Sequence, residues 1–245
     1  MSKKSSGKNP GAKKNTSGRS GRDLTVRVKS ARGRKSSSTR WLQRQLNDPY
    51  VAAAQRAGLR SRAAFKLEDL DDKFKFLKPG MRVVELGAAP GGWTQVLVSR
   101  LGTEKPGSKS KIIAIDLQEM APISGAEVLL LDFMDDDAPD ILKKALGGPA
   151  DAVLSDMAPK IPGHANTDHL RIMGLAEMAY DFAKEVLAPG GCFVSKVFQG
   201  GTEKELLADM KRSFSQVRHA KPPSSRAESA EMFVVAQNFR GEGAK

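Results

Sequence analysis

The sequence predicts an α/β fold in which a mostly parallel seven-stranded sheet is covered by helices on both faces. Strand-like and helix-like blocks alternate after the turn Lys78-Pro79-Gly80, and such alternation is typical of parallel strands joined by helical crossovers. Only a loop separates the last two strand-like blocks, which predicts a hairpin and an antiparallel strand at one sheet edge. Hydrophobic residues make up 40% of the chain, which is compatible with a buried core.

The predicted strands are short runs of apolar and branched residues. They cover 82–86, 111–116, 127–131, 152–155, 191–197, 216–219 and 232–237. Helices are predicted near 93–101, 141–146, 167–187 and 204–214. Residues 41–76 also follow a helical pattern, in which Asp48 and Pro49 start one helix, Gly58 ends it and Ser61 caps a second.

The positive charge is concentrated at the start of the chain. Residues 1–40 hold 13 Lys/Arg and one acid, a net charge of +12, which equals the formal charge of all 245 residues. Residues 1–38 are predicted to form a disordered basic tail, because they have few large apolar groups to bury. The folded domain is predicted at 39–240, with a helical part at 41–77, a sheet core at 80–240 and a short tail at 241–245. A basic tail on a neutral body indicates a polyanionic partner.

The composition argues against several classes of protein. Cys192 is the only cysteine, which excludes an intramolecular disulfide and a cysteine-based zinc site. The three histidines show no metal-binding spacing, so no metal is expected. No apolar run is long enough to span a bilayer, and no apolar segment follows the basic start as in a signal peptide. We therefore expect a cytoplasmic protein.

A glycine-rich loop, VVELGAAPGGW at 83–93, directly follows the first predicted strand. Gly87 permits a tight turn, and Gly91 and Gly92 let the backbone approach a ligand without a Cβ clash. Nucleotide-like ligands bind at this position of a parallel α/β sheet. The spacing differs from GxGxxG, and the loop lacks the Lys-Ser/Thr of a P-loop. The loop therefore argues against a dinucleotide or a nucleoside triphosphate as the ligand. A glycine-rich loop of this kind could also be a plain strand–helix turn that binds no ligand.

Two aspartates follow the next two predicted strands. Asp116 ends the second strand, where it can accept hydrogen bonds from both hydroxyls of a ribose. Asp132 ends the third strand and could accept one from an adenine amino group. Each aspartate could instead cap a helix, but three successive strands with suitable ends favour a ligand site. The ligand so defined bears adenosine without pyrophosphate, and S-adenosylmethionine fits best.

The fourth and fifth predicted strands bring two charged residues to the same sheet edge. Asp156 follows the fourth strand in SDMAP, and Lys196 lies within the apolar fifth strand, CFVSKVF. Burying an ammonium group without a partner is costly. A lysine in this setting therefore indicates a functional residue more than an outward-facing one.

Six stretches of the chain resemble the FtsJ-like ribose 2′-O-methyltransferases, and within that family the bacterial enzymes that act on 23S rRNA. They are SSSTRWLQ, GLRSRAAFKL, PGMRVVELGAAPGGW, SDMAP, LAPGGCFVSKVFQG and KPPSSRAESAEMFVVA. The resemblance covers nearly all of 37–239. It implies a Rossmann-like, S-adenosylmethionine-dependent methyltransferase fold.

The resemblance also implies which residues act. The family uses a Lys-Asp-Lys-Glu tetrad, which corresponds here to Lys66, Asp156, Lys196 and Glu231. Its cofactor positions correspond to Gly91, Trp93, Asp116, Asp132 and Asp156, and the loop pattern adds Gly87. Lys196 would either accept the proton of the ribose hydroxyl or orient its oxygen, and the sequence leaves both roles open.

The substrate that the resemblance implies is a uridine of 23S rRNA within the large (50S) ribosomal subunit. Arg60, Arg62 and the basic tail are expected to contact phosphates, with ordinary solvated surface charge as the alternative for each of them. The protein is expected to be a monomer. Methylation of tRNA or of an mRNA cap remains an alternative. A non-catalytic ribosome-assembly factor is disfavoured by the complete tetrad, and a Rossmann-type oxidoreductase by the loop spacing.

Overall fold

The computed structural model of the protein describes residues 36–159, 165–198 and 203–241. The chain divides into two units, one up to Asn47 and one from Asp48 onward. In the first unit the described residues form the helix α1 (Ser36–Leu46). The second unit holds all the other elements. Its helices are α2 (Pro49–Arg56), α3 (Ala63–Phe74), α4 (Gly92–Leu101), α5 (Ala138–Leu146), α6 (Ala165–Val186) and α7 (Glu203–Ser213).

The second unit contains one seven-stranded sheet in the order β3-β2-β1-β4-β5-β7-β6. Its strands are β1 (Arg82–Leu86), β2 (Lys111–Asp116), β3 (Glu127–Leu130), β4 (Ala150–Ser155), β5 (Leu187–Phe198), β6 (Phe214–Ala220) and β7 (Glu231–Phe239). The pairs among β1 to β5 are parallel, and β7 pairs antiparallel with both β5 and β6. The predicted hairpin at one edge is thus present. Its reversed strand is β7, which lies between β5 and the edge strand β6.

Helices cover both faces of the sheet. The strands alternate their side chains between two cores, so the buried strands read as nearly continuous apolar runs. On one face, α3 and α4 pack on residues such as Val83, Leu154 and Phe233. On the other face, α5, α6 and α7 pack on residues such as Val84 and Phe193. The predicted α/β class, with seven strands and two helical layers, is confirmed.

The order of the strands reverses at β1, which has β2 on one side and β4 on the other. In open α/β sheets, ligands bind in the crevice beyond the carboxyl ends of the strands at such a switch point. The carboxyl ends of β1, β2 and β4 and the amino end of the reversed β7 lie at this one edge. The fold therefore brings Gly87, Asp116, Asp156 and Glu231 to the same edge of the sheet.

The helices before the sheet differ in one respect from the prediction. Asp48 caps α2 as expected, since its side chain accepts a hydrogen bond from the Tyr50 N–H and Pro49 is the first helical residue. The expected cap at Ser61 is wrong. Arg62 occupies the cap position of α3 without a side-chain hydrogen bond, and the buried Ser61 hydroxyl has no partner among the described residues. The chain turns through Ser61 and Arg62 before α3 starts, and this displaces the hydroxyl from the helix end.

Only part of the predicted tails lies within the residues that the structure describes. Residues 36–38 of the predicted tail lie in α1. The rest of the predicted basic tail and residues 242–245 lie outside the described residues. The domain limits stay a prediction.

Candidate active site

A cavity of about 630 Å³ opens at the carboxyl ends of β1 to β4. Volumes of this size are typical of sites for small ligands. Its walls combine apolar side chains with three carboxylates, those of Asp116, Asp132 and Asp156. A cavity with this lining suits a ligand that has an apolar ring, hydroxyl groups and a positive charge.

Backbone amides orient two of these carboxylates. The two oxygens of Asp116 accept hydrogen bonds from the N–H groups of Ala89 (2.9 Å) and Gln118 (2.8 Å). One oxygen of Asp132 accepts from the Met134 N–H at 2.9 Å. Each carboxylate oxygen can accept more than one hydrogen bond. Both side chains are therefore fixed in place and can still accept from a ligand.

The glycine-rich loop is shaped by close approaches within the protein. Gly87 lines the cavity, adopts φ +81°, and would place a Cβ 2.8 Å from the backbone of Met157. Gly91 adopts φ +103°, and a Cβ there would lie 2.6 Å from Ile123. Gly91 does not itself line the cavity. A side chain at Gly87 would displace the backbone of Met157, and one at Gly91 would strain the backbone and displace the side chain of Ile123.

Trp93 packs in the core and does not line the cavity. It is 2% exposed, its indole N–H donates to the Ala63 carbonyl at 2.8 Å, and its ring lies 5.7 Å from that of Phe233. Among the expected cofactor residues, Gly87, Asp116, Asp132 and Asp156 line the cavity. Roles for Gly91 and Trp93 in cofactor binding stay predictions.

Lys196 and Asp156 form one buried pair at the rim of the cavity. The register of β4 and β5 aligns Ser155 with Ser195, so the next residues, Asp156 and Lys196, are neighbours. Lys196 Nζ donates to the Asp156 backbone carbonyl at 2.6 Å and to its Oδ1 at 3.1 Å. The lysine side chain is only 8% exposed, which a lone ammonium group would not tolerate. Asp156 provides the compensating charge and at the same time lines the cavity.

Lys66 and Glu231 form a second pair, between α3 and the start of β7. Lys66 Nζ donates to Glu231 Oε2 at 2.7 Å, and the two side chains are 13% and 14% exposed. The other oxygen of Glu231 accepts from the Ser225 hydroxyl at 2.9 Å. Both oxygens of this carboxylate are thus held by protein groups.

Phe233 connects the two pairs. It lies opposite Lys196 in the β5–β7 register, and Lys66 Nζ lies 5.8 Å from the centre of its ring. Glu231 and Phe233 are two residues apart in β7, so their side chains lie on the same face of the sheet. Lys66, Lys196 and Glu231 therefore converge on the sheet face that α3 covers. The four residues of the expected tetrad come together, although they span positions 66 to 231.

Glu85 is a buried acid that the sequence analysis did not single out. It is 1% exposed on β1, and the Thr94 hydroxyl donates to its Oε2 at 2.7 Å. Burial raises the pKa of the Glu85 carboxyl to about 8, and the nearby Asp156 and Asp116 add to the rise while the Thr94 hydrogen bond opposes it. An acid within an apolar strand was the available signal, the same signal that identified Lys196.

Arg60 and Arg62, which are expected to contact RNA phosphates, both bind other parts of the protein. The Arg60 guanidinium donates to the backbone carbonyls of Ala121 at 2.6 Å and Pro122 at 2.8 Å. Arg62 donates to the Asp48 carboxylate and to the Ser224 carbonyl. Both arginines therefore hold loops of the protein together, and a phosphate contact for either stays a prediction.

Arg171 is the basic residue among those that line the cavity. It shares one face of α6 with Gly174, Leu175 and Met178, which also line the cavity. The residue is exposed, and the part of the chain that the structure describes offers its guanidinium no acceptor. No sequence pattern distinguishes Arg171 from other surface arginines, because its position at the cavity depends on the packing of α6.

Two further findings concern metals and membranes. Within residues 36–159, 165–198 and 203–241, no group of three or more His, Cys, Asp or Glu side chains could hold a metal ion. No helix in these ranges combines the length and the apolar character that a bilayer crossing requires.

The fold and the site define an α/β protein with a cavity lined by three carboxylates beside two lysine–carboxylate pairs. Residues 59–239 match the family of FtsJ-like methyltransferases. A protein of Paramagnetospirillum magneticum named ribosomal RNA large subunit methyltransferase E is 61% identical over 241 residues, 98% of this chain and 97% of the relative. A protein of the same name from Rhodospirillum rubrum is 59% identical over 97% of this chain and 93% of the relative. The chain therefore belongs to the FtsJ-like methyltransferase family.

A solved structure agrees with this assignment. A protein of Plasmodium falciparum described as a ribosomal RNA methyltransferase superposes with a TM-score of 0.65 at 32% identity. The match covers 75% of this chain and 100% of that structure. The predicted Rossmann-like methyltransferase fold and the predicted class of enzyme are confirmed.

Proposed function

We propose that this enzyme transfers a methyl group from S-adenosylmethionine to the ribose 2′-hydroxyl of a uridine in the 23S rRNA of the large ribosomal subunit. The observation that carries the proposal is the double position of Asp156, which lines the cavity and binds Lys196. The names of relatives about 60% identical over nearly the whole chain support the substrate class.

The cavity residues fit S-adenosylmethionine, which when bound supplies a methyl group activated by a sulfonium. Asp116 would accept hydrogen bonds from the ribose hydroxyls, and Asp132 from the adenine amino group. The apolar side chains of the walls, such as Leu131 and Met134, would cover the adenine ring. The three carboxylates favour a ligand with a positive charge.

Lys196 is the proposed contact to the reacting hydroxyl. Displacement at a methyl group requires the attacking oxygen to approach in line, so much of the rate comes from positioning. Its contacts to the Asp156 carbonyl and carboxylate occupy two of the positions around Nζ, and one is left for the substrate oxygen. Through that position Lys196 either takes up the hydroxyl proton or donates a hydrogen bond that orients the oxygen. A single-turnover rate that rises with pH identifies the base, and a flat profile the orienting donor.

Lys66 and Glu231 are proposed to hold the other side of the ribose. Because Glu231 is fixed at both oxygens, the pair forms a rigid wall rather than a mobile acid. Rigid polar groups lower the cost of ordering a substrate in the reactive geometry.

Arg171 is proposed to bind an RNA phosphate beside the cavity. Its guanidinium is exposed and has no hydrogen-bond partner among the described residues, and it lines the same cavity as Asp156, beside which the ribose is proposed to lie. The basic tail, which lies outside the described residues, is proposed to add phosphate contacts of the same kind. We further propose that the protein acts as a monomer in the cytoplasm.

The proposal is tested by incubating the protein with labelled S-adenosylmethionine and, separately, with naked 23S rRNA, large subunits and tRNA. The product is then mapped for 2′-O-methyl groups. We expect a single methylated uridine in large-subunit RNA. Methylation of tRNA alone would favour the tRNA alternative, and RNA binding without transfer would favour a non-catalytic assembly factor.

A further inference from the structure

Two stretches of the sequence, residues 58–70 and 221–231, bind each other in the structure. Arg62, Lys66 and Asp69 are spaced by four and three residues, so they form one polar stripe along the start of α3. Each contacts the segment 221–231 that leads into β7. Three side chains of the stripe thus hold this stretch of the chain, which is called the 221–231 segment below.

Asp69 contacts Ser224, the residue whose carbonyl Arg62 also binds. The Asp69 Oδ2 accepts the Ser224 backbone N–H at 3.0 Å and the Ser224 hydroxyl at 2.6 Å. Ser224 is completely buried, so its two donors would be left without partners if the carboxylate were absent. A carboxylate that accepts both donors of one residue fixes where that residue lies and how it is rotated.

Ser225 links this contact to the proposed site. Its hydroxyl donates to Glu231 Oε1 at 2.9 Å, while Lys66 holds Glu231 Oε2 at 2.7 Å. One oxygen of Glu231 is therefore held directly from α3. The other is held by the residue next to Ser224, which Asp69 anchors. Since Lys66 and Asp69 are neighbours on one helix face, both oxygens depend on the same turn of α3.

We propose that Asp69 is a positioning residue for methyl transfer. By anchoring Ser224 it keeps Ser225 and Glu231 in register with Lys66. This inference rests on the proposed function, because it requires the Lys66–Glu231 pair to act at the reacting ribose. Asp69 is not among the residues that line the cofactor cavity, so its effect on the reaction passes through the 221–231 segment.

The test compares Asp69→Ala, Asp69→Asn and the control Asp72→Ala in single-turnover methylation of large subunits. We expect Asp69→Ala to lower the rate about 10- to 100-fold, since small displacements of a reacting group have effects of this size. Asp69→Asn keeps an oxygen that can accept both Ser224 donors, and we expect it to retain most of the rate. Asp72 lies on the same helix with its side chain 59% exposed, and its variant should match the wild type.

Calorimetry and a double-mutant cycle separate positioning from a general loss of structure. S-adenosylmethionine should bind Asp69→Ala as it binds the wild type. In a Glu231→Gln background, Asp69→Ala should lower the rate little further, because both changes act through one group. Should Asp69→Ala fail to fold, Ser224→Ala removes one of the two hydrogen bonds and is expected to lower the rate in the same direction.

Four results would overturn the inference. They are a wild-type rate for Asp69→Ala, an equal loss for Asp69→Asn, weakened cofactor binding, or rate losses that multiply with Glu231→Gln. Failure of the proposed function looks different. In that case the wild type itself would transfer no methyl group to large-subunit RNA.

Discussion

The cofactor cavity and the two lysine–carboxylate pairs lie at the same edge of the sheet but are built in opposite ways. The cavity is open space of about 630 Å³ with apolar walls, and its charged groups are chiefly acidic. The pairs enclose little space, and each ammonium lies within 3.1 Å of its carboxylate. One region is shaped to receive a ligand, and the other has its charges already matched.

This difference separates attraction from positioning. The carboxylates of the cavity attract a cationic ligand. In each pair a lysine is matched by a carboxylate, so the two pairs present no excess of positive charge that would attract a polyanion. Each lysine is already hydrogen-bonded to its carboxylate, so both pairs keep a fixed geometry at the point where the ribose would react. Substitutions in the two regions should therefore affect different steps.

Lys196→Ala should have the largest effect and leave the cavity intact. We expect the rate of methyl transfer to fall about 10²- to 10⁴-fold, the usual contribution of a group that moves or orients a proton. S-adenosylmethionine should still bind with unchanged affinity in calorimetry, and Lys143→Ala, at an exposed lysine paired with Glu185, is the control. Loss of cofactor binding, or full activity, would refute the assignment.

Glu85→Gln tests the buried acid close to Asp116 and Asp156. A carboxyl whose pKa is raised from 4.5 to about 8 by burial binds more protons in the folded than in the unfolded state between these pH values. The wild type should therefore lose stability as the pH rises through this window, by an amount on the order of a few kcal/mol. Glutamine cannot ionise, so urea unfolding of the variant should show a smaller fall between pH 5 and pH 8.

The matching control is Glu104→Gln at an exposed site, which should follow the wild-type curve. Parallel stability curves for the wild type and Glu85→Gln would show that Glu85 is ionised throughout this window.

Asp116→Asn should weaken the binding of S-adenosylmethionine in the cavity and leave the two lysine–carboxylate pairs unchanged. A carboxylate that binds ligand hydroxyls contributes about 1.5–3 kcal/mol, so the dissociation constant of S-adenosylmethionine should rise roughly 10- to 100-fold. The rate at saturating cofactor should stay near that of the wild type. Asp135→Asn, at an exposed residue of the nearby turn, serves as the control. An unchanged affinity would remove Asp116 from the site.

Arg171→Ala should have the smallest effect, and on RNA alone. We expect affinity for large-subunit RNA to fall a few-fold and the slope of log affinity against log salt to decrease by about one. Arg212→Ala on α7 is the control, since that side chain is 72% exposed and pairs with Asp209. Weaker cofactor binding with unchanged RNA binding would assign Arg171 to the cofactor instead.

Most of the fold could be predicted from the sequence because its signals are local. Each buried strand is a run of apolar residues, and each crossover helix shows apolar residues at helical spacing. Asp156 and Lys196 were visible for the same reason, as polar residues at the ends of apolar strands. Lys66 and Glu231 had no such signal, since their meaning depends on a contact between residues 165 positions apart. They came only from the resemblance to a family.

The partners of Arg60 and Arg62 and the position of the Ser61 hydroxyl could not be predicted for the same physical reason. A sequence shows which groups can donate hydrogen bonds but not which acceptors the fold brings near. Arg60 meets the carbonyls of Ala121 and Pro122 only after the chain between them has folded around β2. Ser61 precedes an apolar stripe as a capping serine does, but the path of the backbone decides whether its hydroxyl reaches the helix end.

The reversed direction of β7 has a consequence for the order in which the enzyme is made. Every residue that lines the cavity lies between Gly87 and Met178, whereas the pair on α3 needs Glu231. A ribosome synthesises the cavity residues first, and the carboxylate that completes the pairs emerges some fifty residues later. Because contacts between distant residues form late, the pair between α3 and β7 can form only after the whole sheet has been synthesised. In the proposed function, the last strand therefore completes the reacting site, because it carries Glu231.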